Sequence, residues 1–350
     1  MTEPVIDVQH LHKAFQIAKP KEGPLAALRT LFSREHVTKV AVDDVSFRIH
    51  RGELVGYIGP NGAGKSTTIK ALTGILVPTF GSVRVNGIVP YERRTENAQR
   101  IGVVFGQRTQ LWWDLPTVES FRLLRAIYRV PEATYRRNME RFDQLLGLGE
   151  FLNTPVRQLS LGQRMRADLA AALLHDPEII YLDEPTIGLD VVAKEKIRTF
   201  IREINQERQV TVILTTHDMQ DIEKICQRMI LIDHGRVVYD GGIDAIRKRF
   251  GTHRTLVVDL EPAPQEFAVD GATVTRREQN RVWLRFNREN VTPSQLLARI
   301  GTHYDVTDFT LEEPDIESII SRIYQEGLPA AKSSATGRRT DTHGSLALKA

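Results

Sequence analysis

The stretch GPNGAGKST, residues 59–67, decides how this chain folds. It fits G-x-x-x-x-G-K-[ST] at every fixed position. The loop Gly59-Pro60-Asn61-Gly62-Ala63-Gly64 is glycine-rich, so its backbone can approach a phosphate closely. Its N–H groups then form an anion nest at the start of a helix. Lys65 supplies the cation for the β- and γ-phosphates, the Ser66 hydroxyl ligates Mg²⁺, and Thr67 supports the nest. The flanks give the required context: LVGYIG (54–59) reads as a buried strand and STTIKALTGIL (66–76) as a helix. A glycine-rich turn that binds nothing is the alternative, and a complete motif between strand and helix weighs against it.

Downstream, IIYLDEP (179–185) is an apolar run that ends in two carboxylates. Ligands of a parallel sheet sit at the carboxyl ends of its strands. Asp183 is therefore placed to hold Mg²⁺, and Glu184 to polarise an attacking water as a general base. His217 ends another apolar run, VTVILTTH (210–217), where it could reach the γ-phosphate or orient the catalytic pair. A lone histidine at a strand end is more often structural.

Around these motifs the pattern alternates. VIDVQ (5–9), AVDDVSFRIHRGE (41–53), GSVRVNG (81–87), IIYL (179–182), VTVIL (210–214) and MILID (229–233) read as strands. Residues 117–147, 160–174 and 192–208 read as helices. Strands alternating with helices imply βαβ units and a mainly parallel sheet. Residues 18–39 look inserted, with LAALRTLFSR (25–34) as a short amphipathic helix. Near Gly251 the composition shifts to a small α+β region: strands at TLVVDLE, RVWLRF and YDVTDFTL, helices at TPSQLLARI and DIESIISRIYQEG. The domains predicted are 1–250, with a helical subdomain at about 108–177, then 251–329, then a Ser-, Thr-, Gly- and Arg-rich tail at 330–350 predicted to be disordered.

Bulk composition excludes several function classes. Net charge is +3, and the tail residues Lys332, Arg338, Arg339 and Lys349 against Asp341 account for it. The rest is near neutral, without a nucleic-acid footprint. Cys226 is the lone cysteine, which rules out an intramolecular disulfide framework and suits a reducing compartment. MTEPVIDVQ lacks the charge and apolar core of a signal peptide, and no apolar run approaches the ~18 residues of a membrane span.

One more motif joins the set. LSLGQ (159–163) has Ser160 and Gln163 at capping-box spacing before the apolar face of Met165, Leu169, Ala172 and Leu173. With GPNGAGKST, LSLGQ, IIYLDEP, GLD (188–190) and TTH (215–217) in this order, the chain resembles ABC transporter ATP-binding subunits over roughly residues 5–245. The resemblance implies a P-loop NTPase α/β core with a mainly parallel sheet, an antiparallel β-subdomain and an α-helical subdomain, here with a small C-terminal α+β domain. It implies ATP and Mg²⁺ as ligands. Gln107, in VVFGQRTQ, matches the glutamine that contacts Mg²⁺ and the attacking water. Asp190 matches the aspartate at the dimer seam, and His217 the switch histidine. Ser160, Gly162 and Gln163 match the signature that faces the γ-phosphate of a partner subunit. An aromatic residue upstream normally stacks on adenine; spacing falls near His36, and Phe15 is its rival.

LSLGQRMRADLAAALLHDPEIIYLDEPTIGLD, the insertion before AVDDVSF, and QLWWDLP after Gln107 resemble the multidrug or viologen-type exporter branch. That implies an ATPase on the cytoplasmic face of the cell membrane, held there by integral membrane permease subunits and paired with a second ATP-binding subunit. No nucleic-acid partner is expected. A soluble, ribosome-directed or nucleic-acid-directed ABC ATPase is the alternative; the single module and absence of sustained heptads argue against it. A P-loop kinase or GTPase would leave LSLGQ and TTH unexplained. Trp112 and Trp113 are read either as subdomain core or as an aromatic surface for a membrane subunit, and Arg164 and Arg166 as solvated helix residues.

Overall fold

The computed structural model describes residues 3–18, 36–106, 108–251, 253–261, 267–313 and 315–326. Two long strands, β1 (Ile6–Ala18) and β2 (His36–Ile49), form an antiparallel pair. The helix expected at 25–34 and the tail from 330 lie outside the described residues. β3 (Leu54–Ile58) then leads through the glycine loop into α1 (Lys65–Leu72). α1 ends short of the expected Leu76: Gly74 turns back at φ 79°, so close to the Pro90 carbonyl that a Cβ would lie 2.5 Å from its oxygen. β4 (Phe80–Val85) completes the antiparallel sheet in the order β2-β1-β4.

Next come α2 (Arg94–Arg100) and β5 (Ile101–Phe105). Residues 117–147, expected to be mostly helical, form two helices, α3 (Thr117–Ile127) and α4 (Glu132–Leu146). Arg129 at φ 54° and Pro131 at the N-cap of α4 divide them. α5 (Leu161–Leu173), β6 (Ile179–Asp183), α6 (Val191–Arg208), β7 (Thr211–Thr215), α7 (Met219–Ile225), β8 (Arg228–Asp233), β9 (Arg236–Gly242) and α8 (Ile243–Phe250) follow.

The central sheet has the order β5-β6-β7-β3-β8-β9, parallel except for β9. Both faces are covered, which is why its strands read as continuous apolar runs. Val55, Tyr57, Ile179, Tyr181, Ile213 and Ile230 face a core shared with α1 and the antiparallel sheet. Ile58, Ile180, Leu182, Val212, Leu214 and Leu231 face the opposite core, built with α5 and α6. Register aligns Phe105 with Asp183 and Asp183 with Thr215, so the loops after β5, β6 and β7 leave at one edge.

Beyond β9 the chain forms a second antiparallel sheet from β10 (His253–Glu261), β11 (Ala272–Glu278), β12 (Arg281–Asn287) and β13 (Asp305–Glu312), in the order β11-β12-β10-β13. α9 (Pro293–Ile300) packs Leu296 and Ile300 into its own core, with Leu256, Val258, Leu284 and Phe286. α10 (Ile316–Glu326) does not join that core. Its Ile316, Ile319, Ile320 and Ile323 insert into the α5–α6 side of the first unit.

Candidate nucleotide site

The glycine loop leaves the carboxyl end of β3 and enters α1 with Gly64 as N-cap at φ 106°. A Cβ there would sit 2.5 Å from the Ala41 carbonyl oxygen, so only glycine fits. Gly62, at φ 86°, has open space around its Cβ position, leaving the loop concave and accessible. Lys65 is buried, and its Nζ donates to the carbonyls of Gly59 (2.6 Å) and Pro60 (3.1 Å). Burial holds its pKa below the usual lysine value, while the carboxylates of Glu184 and Asp183 oppose that shift. Asn61 and Ser66 are exposed, Ala63 is buried and Thr67 is half-buried.

Asp183 ends β6 between two hydroxyls. Thr215 donates to its Oδ1, and Ser66 Oγ lies 3.4 Å from its Oδ2. Glu184 adopts φ 58°, a left-handed conformation that is costly for a side chain of this size. The bond from its N–H to the Thr215 carbonyl (2.9 Å) holds it there. Its Oε2 is 2.7 Å from Nδ1 of His217, so these two residues meet directly.

A buried network supports this pair and is invisible in local spacing. Asp221 on α7 is fully buried and accepts hydrogen bonds from Thr186, Thr216 and Arg198 Nε, the last at 2.6 Å. Thr186 lies two residues after Glu184, and Thr216 immediately precedes His217. One buried carboxylate thus holds both loops in place.

Gln107 lies outside the described residues. Its neighbour Gly106 donates to the Asp183 carbonyl at 2.7 Å, and a Cβ on Gly106 would lie 2.3 Å from the Glu184 carbonyl oxygen. For the adenine contact, strand register separates the two rivals. Phe15 pairs with Lys39, and His36 pairs with Ala18 at the far end of the ladder. The phosphate loop touches β2 at Ala41. At ~3.4 Å per residue, the Lys39 row is ~7 Å from that contact and the His36 row ~17 Å.

LSLGQ forms the capped helix that its spacing predicts. Ser160 Oγ accepts from Gln163 N (3.2 Å), and Gln163 Oε1 accepts from Ser160 N (2.9 Å). Leu161 turns back on its own chain: its Cδ2 would be 3.0 Å from a Cβ on Gly188. Gly162 faces Ala193 and Leu189. Asp190 caps α6 through Ala193 N at 2.9 Å, and the next two residues, Val191 and Val192, are each 79% exposed. Trp112 and Trp113 are 38% and 49% exposed, with the Arg164 guanidinium 5.6 Å from the Trp113 ring. Arg166 is not a solvated residue. It donates to the Leu146 carbonyl at 2.5 Å and stacks on Phe151.

These residues fit a magnesium nucleotide. The cradle is open at Gly62, the lysine ammonium is buried on carbonyls with carboxylates nearby, and Ser66 and Asp183 offer the oxygen donors that Mg²⁺ prefers. No group of three or more His, Cys, Asp or Glu among the described residues forms an all-protein metal cage. No described helix is long and apolar enough to cross a membrane.

The model of a family described as ABC transporter matches residues 42–187. The ABC transporter ATP-binding protein NatA of Bacillus subtilis is 34% identical over 206 residues, 59% of this chain and 83% of that protein. The Nod factor export ATP-binding protein I of Cupriavidus pinatubonensis is 31% identical over 278 residues, 75% of this chain and 85% of that protein. A methionine import ATP-binding protein of Enterococcus faecalis also matches, at 31% over 249 residues (70% of this chain, 67% of that protein). Among solved structures, a dimeric post-hydrolysis ATP-binding cassette bound to ADP and phosphate superposes with a TM-score of 0.56 at 28% identity, covering 68% of this chain and 98% of that one.

Proposed function

The chain belongs to the family of ABC transporter ATP-binding proteins, and from that premise we propose that it drives an exporter by closing head-to-tail with a second ATP-binding subunit over two ATP molecules. It is an ATPase subunit of an ABC transporter that takes ATP with Mg²⁺.

In this reading the loop 59–67 holds the β- and γ-phosphates, and Lys65 leaves the Gly59 and Pro60 carbonyls to meet them. Ser66 and Asp183, with Gln107, hold the metal. Bound Mg²⁺ supplies charge neutralisation on the phosphates. Glu184 takes a proton from the attacking water as its oxygen bonds to the γ-phosphorus and the bond to ADP breaks. His217, 2.7 Å from that carboxylate, orients it. Phe15 stacks on adenine in preference to His36, supported by its place in the β1–β2 register. Ser160, Gly162 and Gln163 complete the site of the other subunit, and Asp190 lies at the seam. The exposed Val191 and Val192 beside it suit a surface that a partner covers.

The observation that carries the proposal is a division of contacts. Lys65, Ser66, Asp183, Glu184 and His217 are tied together at one sheet edge, while the hydroxyl of Ser160 serves its own helix cap. The chain would work at the cytoplasmic face of the membrane on integral permease subunits, with the exposed Trp112 and Trp113 as the docking surface. Residues 251–329 serve as an accessory domain that is regulatory or dimer-stabilising; β10–β13 and α9 share a core of their own, while α10 packs onto the first unit. Export is supported by the exporter-like features of the sequence and by the Nod factor relative; the methionine relative bears an import name. Inverted membrane vesicles carrying the chain and its permease test direction. ATP-driven accumulation of cargo inside them supports export, and ATP-driven loss of preloaded cargo contradicts it.

A further inference from the structure

Asp168 is 5% exposed in the middle of α5, eight residues beyond the signature serine. Its neighbours on that helix, Ala167, Leu169, Ala171 and Ala172, are buried hydrophobics. A packing role would be served by another apolar residue, and burying a carboxylate there is costly. Burial pushes its pKa up to about 6.

Its hydrogen bonds show what it holds. Oδ1 accepts from Thr109 Oγ1 at 2.8 Å and from the Gln110 N–H at 3.1 Å. The Gln110 side-chain amide donates back to the Asp168 carbonyl at 3.1 Å. Thr109 Oγ1 also accepts from Leu111 N, and Leu111 is buried in the core that contains α5. On the other side, Gly106 is bonded to the backbone of Asp183, and Arg108 N to the carbonyl of Phe105. Gly106 and Thr109 are three residues apart, so that link reaches at most ~10 Å. The catalytic strand end and the signature helix are therefore joined by a very short stretch of chain, and Asp168 is its fastening on the helix side.

We propose that Asp168 is a positioning residue that locks the segment 109–110 to α5, so that movement at the Asp183–Glu184 strand end shifts the signature loop of the same chain. The inference rests on the ATPase reading above. A link this short ties displacement at one nucleotide site to the Ser160 that completes the other. Without the carboxyl acceptor, segment 109–110 slips against α5 and the signature loop is misplaced during closure. Nucleotide binding to the phosphate loop is untouched, because no atom of Asp168 reaches that loop among the described contacts.

The test compares Asp168→Ala, Asp168→Asn and Thr109→Val with wild type, by steady-state ATPase kinetics, equilibrium ATP binding and thermal melting. Asp168→Ala is expected to lower kcat about tenfold with ATP affinity within about twofold, the scale of coupling lost at one link in a network. Asn keeps an Oδ1 acceptor for both donors and is expected to restore kcat to within about threefold of wild type. Wild-type kcat in Asp168→Ala, a loss of ATP affinity matching the loss of kcat, or an Asn variant as slow as Ala would overturn the proposal. If Asp168→Ala does not fold, Thr109→Val decides: a reduced kcat with intact ATP binding supports the link, and an unchanged kcat refutes it. Wild-type protein that neither binds nor hydrolyses ATP would refute the ATPase reading instead.

Discussion

Lys65, Ser66, Asp183, Glu184 and His217 act on one another within one chain, whereas Ser160, Gly162 and Asp190 contact the caps and turns that hold them. The first group is interlinked: the lysine rests on carbonyls and the glutamate is held at φ 58° against a histidine. The second is ordered but chemically idle. Its serine satisfies a helix end, and two exposed valines follow its aspartate. In the head-to-tail pairing proposed above, each chain would bring both halves, and each half would meet its counterpart on the partner.

The largest effect that would break this comparison is on the finished side. Glu184→Gln is expected to lower kcat ~10²–10⁴-fold while ATP still binds, because it removes the base and keeps the shape. Rapid turnover in a single-turnover assay would show that the base lies elsewhere. Next, Lys65→Ala is expected to weaken ATP binding about a hundredfold, the loss of charge-assisted bonds to phosphate. Unchanged affinity in calorimetry would take the phosphate-loop role away from it.

Smaller effects sharpen the unfinished side. The folded-state pKa of Asp168 is raised from 3.8 to about 6, so the carboxyl binds its proton more tightly in the fold than in the unfolded chain. Its contribution to stability is therefore fully present below about pH 4 and is lost as pH rises through about 6. At pH 7.5, Asp168→Asn is expected to be more stable than wild type by up to ~3 kcal/mol, with the difference shrinking below pH 5. Parallel denaturant curves across that range would refute the burial cost. Ser160→Ala is expected to cost about 1 kcal/mol through the lost cap. It should also slow hydrolysis without changing ATP affinity of the isolated chain, and equal kcat would confine Ser160 to its helix.

The finished half was the more legible one. Phosphate binding demands adjacent residues, so GPNGAGKST and LDE stand as written in the chain. Apolar runs imply the parallel sheet, but β5 (IGVVF) carries no such signal, because five residues before a glycine have no periodicity. The edge strands β9 and β11 escaped for another reason: RVVYDGG and ATVTRRE are mostly polar or half-exposed. Asp168 with Thr109 and Asp221 with Thr186 and Arg198 are contacts between distant parts of the chain, which spacing cannot encode. The turn of Leu161 onto Gly188 is of the same kind. For the aromatic contact, the sequence offers both His36 and Phe15, and the β1–β2 register adds their different distances from the phosphate loop.

In the proposed pairing, each chain's nucleotide site is completed by the signature of its partner. The most direct measurement is light scattering of purified Glu184→Gln with ATP and Mg²⁺, with and without a second substitution, Ser160→Arg, on the signature side. A species of twice the chain mass is expected for Glu184→Gln, and a monomer that still binds ATP for the double variant. A Glu184→Gln protein that stays monomeric when saturated with ATP, or a double variant that dimerises equally well, would contradict it.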